Sequence, residues 1–231
     1  MPVITPRVAA RAIAAGRRAT LAVPLALHVS ARIAERDAAE FVYDPTQLAN
    51  ALRDLIDAID PDGVPVCDSD VLLADCACAA ELVTSTQLRA SVEATRRLRA
   101  SYGDRIALVA ALPGPAAIAS QTGTAYDAAA DALLALGKEL LGAGADVLVV
   151  HDGAHDETRA PGAPLTTLAN VARFRQAAAL SHATQRYGLP ATVPLDLRAP
   201  AHVPGVAVTP AVLPRDTDIA LLSDWVAVVR G

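Results

Sequence analysis

The chain has 231 residues, 53% hydrophobic and 19% charged, which is enough apolar material for one substantial core. Its formal net charge of -5, with acids and bases interspersed, excludes the concentrated basic face that binding nucleic acid requires.

A first helix is expected from Pro6 to Arg18. Its arginines Arg7, Arg11, Arg17 and Arg18 mimic a targeting segment, but the apolar run that follows is broken by Pro24 and His28 and is too short to span a bilayer. That run, Leu21 to His28 (LAVPLALH), reads as the first buried strand and is followed by a helical stretch ending near Glu40. Asp44-Pro45 then opens a helix with Leu48, Leu52, Leu55, Ile56 and Ile59 on one face, and Asp60-Pro61-Asp62-Gly63 stops it. The second strand is Val64 to Asp70 (VPVCDSD). Cys67, Cys76 and Cys78 cluster in and after it, an odd number that suits free thiols in a reducing compartment, so a cytoplasmic location is expected. A helix from Thr84 to Ala100 carries Leu88, Val92, Thr95 and Leu98 at helical spacing and ends at Tyr102-Gly103. Next come a third strand, Ile106 to Pro115, and a helix from Tyr126 to Leu141 closed by Gly142 and Gly144. The fourth strand is Val147 to Asp152, followed by a helix from Pro164 to Tyr187 ended by Gly188. Two more strands, Ala191 to Arg198 and Val206 to Pro210, precede a closing helix from Asp216 to Val229.

Strand-like runs alternating with helical segments predict repeated βα units around a parallel sheet. The expected fold is α/β, a single TIM-type (β/α) barrel domain spanning 1–231. Six strands are fewer than the eight of a closed barrel, so the barrel is read as incomplete. A homodimer is the expected way to cover its open edge.

In such folds the carboxyl ends of the strands and the loops after them hold the ligand. The first five strands end in polar, charged or Pro/Gly positions and supply the candidates; the sixth supplies none. After the second strand stand Asp68 and Asp70, with Asp75 further on. Together they suit Mg²⁺ completed by waters and a substrate phosphate. Alternatively, one carboxylate with a raised pKa serves as acid or base, or Asp68 simply caps the next helix while Asp70 is a solvated charge.

After the fourth strand stand His151 and Asp152, of which one faces the pocket because neighbours on a strand point to opposite faces. Alternatively the pair belongs to a charged surface loop running to Pro161-Gly162, the reading taken for His155, Asp156 and Glu157, and Gly153 to Pro164 reads as a lid. His28 is either an acid/base group or a hydrogen-bonded plug. Asp196 and Arg198 share a strand face and either bind an anionic substrate group or pair with each other. Gly114, between two prolines, is an anion seat or a rigid turn, and Cys67 a small buried apolar residue.

The order of VPLALH, DAAEFVYDPTQLANAL, DGVPVCDSDVLLADC, RIALVAALPGPAAIASQTG, LLGAGADVLVVHDG and TPAVLPRDTD resembles the uroporphyrinogen decarboxylase superfamily, with CDSD, LPGP and AGAD as its most specific pieces. The resemblance implies a (β/α) barrel and a choice among porphyrinogen decarboxylases, cobalamin-related methyltransferases and methionine-synthase-like proteins. Two departures stand out. The arginine-rich N-terminal substrate loop of the decarboxylases is not present, and Arg17 and Arg18 are poor substitutes. The His and Cys zinc ligands of the methyltransferases are not matched either: the strand Ala191 to Arg198 reads ATVPLDLR and the cysteines all cluster near the second strand.

The leading expectation is a lyase or isomerase using Asp68, His28, His151 or Asp152 for acid/base chemistry on a small organic substrate. A second is an Mg²⁺-dependent enzyme, such as a cyclase, acting on a prenyl diphosphate. A third is a methyltransferase-related protein or a non-catalytic binding or scaffold protein.

Overall fold

Where the capping signals are strongest, the helices form at the expected bounds. In the computed structural model, which describes residues 4–37, 39–74, 76–151, 163–181, 193–194, 197, 205–209 and 213–231, helix α1 spans Pro6–Ala14 and α2 spans Leu27–Ile33. Helix α3 spans Pro45–Ile59. At its start the Asp44 carboxylate accepts the backbone N–H groups of Thr46 at 2.7 Å and Gln47 at 3.0 Å, and Pro45 takes the first-turn position where no N–H is needed. Leu48, Leu52, Leu55, Ile56 and Ile59 are all buried, each worth about 1.5–3 kcal/mol of transfer from water.

The strands described are β1 (Thr20–Val23), β2 (Gly63–Cys67), β3 (Ala107–Pro113), β4 (Val147–His151), β5 (Ala178–Ser181), β6 (Val193–Pro194) and β7 (Gly205–Val208), all pairing in parallel. Their hydrogen-bonded order is β2-β3-β4-β5 in one sheet and β1-β7-β6 in the other. The two sheets meet at β1 and β2, where the Asp62 N–H donates to the Ala22 carbonyl at 3.1 Å and the Asp62 carboxylate accepts the Ala22 N–H at 2.8 Å. The spatial order is therefore β6-β7-β1-β2-β3-β4-β5, the arrangement of a partial TIM-type barrel with fewer than eight strands among the described residues.

Period-two alternation sorts the strands into two layers. Leu21, Val23, Ala107, Val109, Val147, Val149, Ala178, Leu180, Val206 and Val208 fill the interior together with Ala9 and Ala10 of α1. That helix touches β1, β3, β5 and β7 and so plugs the amino-terminal base. Val64, Val66, Leu108, Leu112, Leu148 and Val150 face outward into the larger core beneath the helices. Those helices include α6 (Thr86–Tyr102), α8 (Tyr126–Ala143), α9 (Ala163–Phe174) and α10 (Ile219–Arg230).

Two sequence expectations are corrected. Pro164 to Tyr187 reads as one helix, but α9 ends at Phe174, the chain reverses through Gln176 at φ 58°, and Ala178–Ser181 joins β4 as a strand. Alanine-rich wording favours a helix locally, and pairing with the edge of β4 overrides it. The first strand was expected to run to His28, but β1 stops at Val23. Pro24 has no N–H to donate, the Leu25 N–H turns to the Thr209 hydroxyl at 3.1 Å, and His28 falls in the first turn of α2. Among the described residues, no helix is long and apolar enough to cross a membrane.

Candidate functional site

The carboxyl-end mouth of the barrel is built from the residues that follow β1, β2, β4 and β7. Strand β2 is irregular near its end: its register against β3 shifts between Pro65 and Cys67, where the proline cannot donate to the ladder. The chain then leaves the sheet at Asp68, which caps the short helix α4 (Ser69–Leu73) by accepting the Asp70 N–H at 2.8 Å. The capping role foreseen for Asp68 is therefore real, but this carboxylate is only 2% exposed. Burial pushes its pKa up, opposed by the Asp70 amide, reinforced by the Asp70 charge, and pulled back by His28.

His28 is half-buried in α2, close enough to Asp68 for its charge to be felt there. His151 ends β4 in the alternation of the inward-facing Val147 and Val149, so of the His151-Asp152 pair the histidine takes the interior-facing register. The structure thus brings Asp68 and His28 together and sets His151 at the same end of the barrel.

The other candidates separate. Asp70 is exposed, and Ser69 donates to it at 3.4 Å. Asp75, Asp152, Asp196 and Arg198 lie outside the described residues, as do His155, Asp156, Glu157 and most of the lid candidate. The Gly114 N–H donates to the His151 carbonyl at 2.5 Å, extending the β3–β4 ladder by one bond at the start of helix α7 (Pro115–Thr122). That N–H is therefore engaged in the ladder, in line with the rigid-turn reading of Gly114. Thr209 was missed. It is fully buried just past β7 and ties that strand to the end of β1 through Leu25. Its signal is the same polar residue after an apolar run that marks the other strand ends.

No three His, Cys, Asp or Glu side chains converge on a metal position among the described residues. The Mg²⁺ grouping of Asp68 with Asp70 pairs a buried carboxylate with an exposed one, and its third member lies outside the described residues. Zinc held by thiolates does not fit the cysteines described. Cys67 is buried and donates to the Ala111 carbonyl at 3.6 Å, and burial, followed by the neighbouring Asp68 charge, pushes its thiol far from the thiolate form. Cys76 is buried and bonded to the Leu72 carbonyl at 3.3 Å, while Cys78 is half-buried just before helix α5 (Ala79–Thr84).

No family model and no curated protein matches the chain. Among solved structures it is similar to a methyltransferase from Methanosarcina mazei, at 12% identity, a TM-score of 0.66, and coverage of 99% of both chains. The likeness is one of fold, running from end to end. It also corrects the leading expectation: the neighbour is a transferase, which is not reconcilable with the lyase assignment.

Proposed function

We propose that the chain is a methyltransferase-related barrel protein that transfers a methyl group to a small acceptor bound at the carboxyl-end mouth. The observation that carries this reading is Asp68, a buried carboxylate beside His28 at the ligand-binding end of a fold whose full-length structural neighbour is a methyltransferase.

Methyl transfer to a heteroatom X–H needs the proton removed as X becomes the nucleophile. The new C–X bond forms while the bond between the methyl carbon and its donor breaks, the electron pair leaving with the donor. The proton passes to Asp68 or His28. Asp68 suits this role because burial favours its protonated form, so it accepts a proton more readily than a solvated carboxylate does. Positioned proton transfer of this kind contributes about 10²–10⁴-fold in rate. His151, at the same end of the barrel, serves in this reading to orient the acceptor. The methyl donor is a second substrate, and the superfamily resemblance points to a methylated corrinoid.

The test is incubation of the protein with methylcobalamin or S-adenosylmethionine and a panel of small thiols, amines and hydroxyl compounds, with methylated products read by mass spectrometry. Transfer by the native chain is expected to fall about 10²–10⁴-fold in Asp68→Asn, which keeps the helix cap but cannot accept the proton. Absence of transfer from every donor to every acceptor, or an Asp68→Asn variant as active as the native chain, overturns the reading.

A further inference from the structure

Two aspartates are buried next to strand ends, and they differ in what neutralises them. Asp146, which precedes β4 at the base, accepts from the Arg99 guanidinium, from Arg7 Nε at 3.1 Å and from the Leu108 N–H at 2.9 Å. Asp68, after β2 at the mouth, has no arginine or lysine partner among the described residues. Its hydrogen bonds are with the Asp70 and Val71 amides, and the positive charge felt there is that of His28. A buried carboxylate without a resident cation stays ionised only at a cost, which either protonation or a bound cation relieves. At the base the chain supplies it. At the mouth, the end of this fold that receives ligands, no arginine or lysine among the described residues supplies it, and a cationic ligand can take that position.

We propose that the acceptor at the mouth is a small primary or secondary amine, seated as its ammonium ion against the Asp68 carboxylate. This inference rests on the methyl-transfer reading for the word acceptor, and on the pairing at Asp68 for the word amine. An ammonium N–H donates a charge-assisted hydrogen bond to the carboxylate, the strong form of the contact. The same N–H carries the proton that must leave: it passes to Asp68 or His28, and the freed nitrogen lone pair forms the N–C bond as the bond from the methyl carbon to its donor breaks. On β3, Ala111 and Pro113 continue the inward alternation of Ala107 and Val109, so small apolar side chains border the mouth beside an alkyl substituent. A carboxylate-bearing or thiolate acceptor meets repulsion at the same place.

The experiment is calorimetric titration of the full chain with methylammonium, dimethylammonium, tetramethylammonium and propionate. Methylammonium and dimethylammonium are expected to bind, tetramethylammonium, which has no N–H, several-fold more weakly, and propionate not at all. Asp68→Asn is expected to weaken the two N–H donors by ten-fold or more, and Asp68→Glu to recover part of that loss, with circular dichroism confirming that both variants are folded. Equal ammonium binding by the native chain and Asp68→Asn, or a preference for propionate, overturns the inference. Ammonium binding with no methyl transfer in the product assay keeps the cation site and sinks the methyltransferase reading. Methyl transfer to thiols alone, with no ammonium binding, does the reverse.

Discussion

The base and the mouth of this barrel each bury an aspartate, and the chain treats them in opposite ways. At the base, Asp146 is the meeting point of Arg7 from α1, Arg99 from α6 and the amide of Leu108 on β3. Asp62, just before β2, plays a similar part, binding the Ala22 amide of β1 at 2.8 Å while Arg230 of α10 holds it at 2.9 Å and Asp60 at 3.0 Å. Plug, sheet and outer helices are fastened together there by charge pairs whose every member is satisfied. At the mouth, Asp68 has backbone amides and a histidine but no arginine among the described residues. Burial pushes both carboxyls up; the difference is that Arg99 and Arg7 pull Asp146 back, while His28 and the Asp70 and Val71 amides pull Asp68 back against the Asp70 charge. The lesson is that burial of an acid does not by itself mark a site. A buried acid at the carboxyl-end mouth, with no arginine or lysine beside it among the described residues, is the stronger candidate.

The largest test of this contrast is Asp146→Asn. It leaves the half-buried Arg99 facing a neutral partner, and urea unfolding is expected to show a loss of about 3–5 kcal/mol. A loss under about 1 kcal/mol would mean that the base is not held by this network. Next is Gly63→Ala, on the interior face of β2 near the base. A Cβ there sits 2.9 Å from the Ala107 carbonyl oxygen and 3.0 Å from Val23 Cγ2, both parts of the packed barrel wall. Overpacking of this kind costs about 1–3 kcal/mol. Thermal melts that match the native chain would show that the interior has room to spare.

The smallest effect, and the one that bears most directly on the mouth, is on pH dependence. Because the Asp68 pKa is raised in the folded state, its contribution to stability is fully present below the ordinary carboxylate range, near pH 4, and is lost as pH rises through the folded value. Asp68→Asn removes a carboxylate that is costly to ionise and keeps an N-capping side chain. It is therefore expected to raise Tm at neutral pH, by about 2–4 °C per kcal/mol recovered in a chain of this size, and to lose that advantage below pH 4. A variant less stable than the native chain at pH 7 would show Asp68 to be a structural partner like Asp146, erasing the difference between the two ends.

Local signals carried α3 entirely: an Asp cap, a proline at the first turn, apolar residues at helical spacing and a stop at Asp60 need nothing from the rest of the chain. They carried Val147–His151 almost as well, because a five-residue apolar run after a glycine turn has few other fates. They failed at Ala178–Ser181, where alanines write helix and only the free edge of β4 makes a strand. They failed again at the end of β1, where Pro24 and the Thr209 hydroxyl decide how the chain leaves the sheet. For the candidate site, strand-end position picked out Asp68, His28 and His151, which the fold sets at one end of the barrel. It equally named Gly114, whose N–H the His151 carbonyl consumes, and it passed over Thr209.

What the sequence alone determined is the alternation of apolar strands with amphipathic helices, and hence a parallel α/β barrel with its polar strand ends on one rim, because periodicity and turn chemistry are properties of neighbouring residues. What only the tertiary structure decided is which acids are neutralised. Asp68 and Asp146 both stand at the edge of a hydrophobic run, and the sequence gives no sign of which will meet an arginine. Arg7 and Arg99 reach Asp146 from 139 and 47 residues away, and that distance in the chain is closed only when the barrel forms.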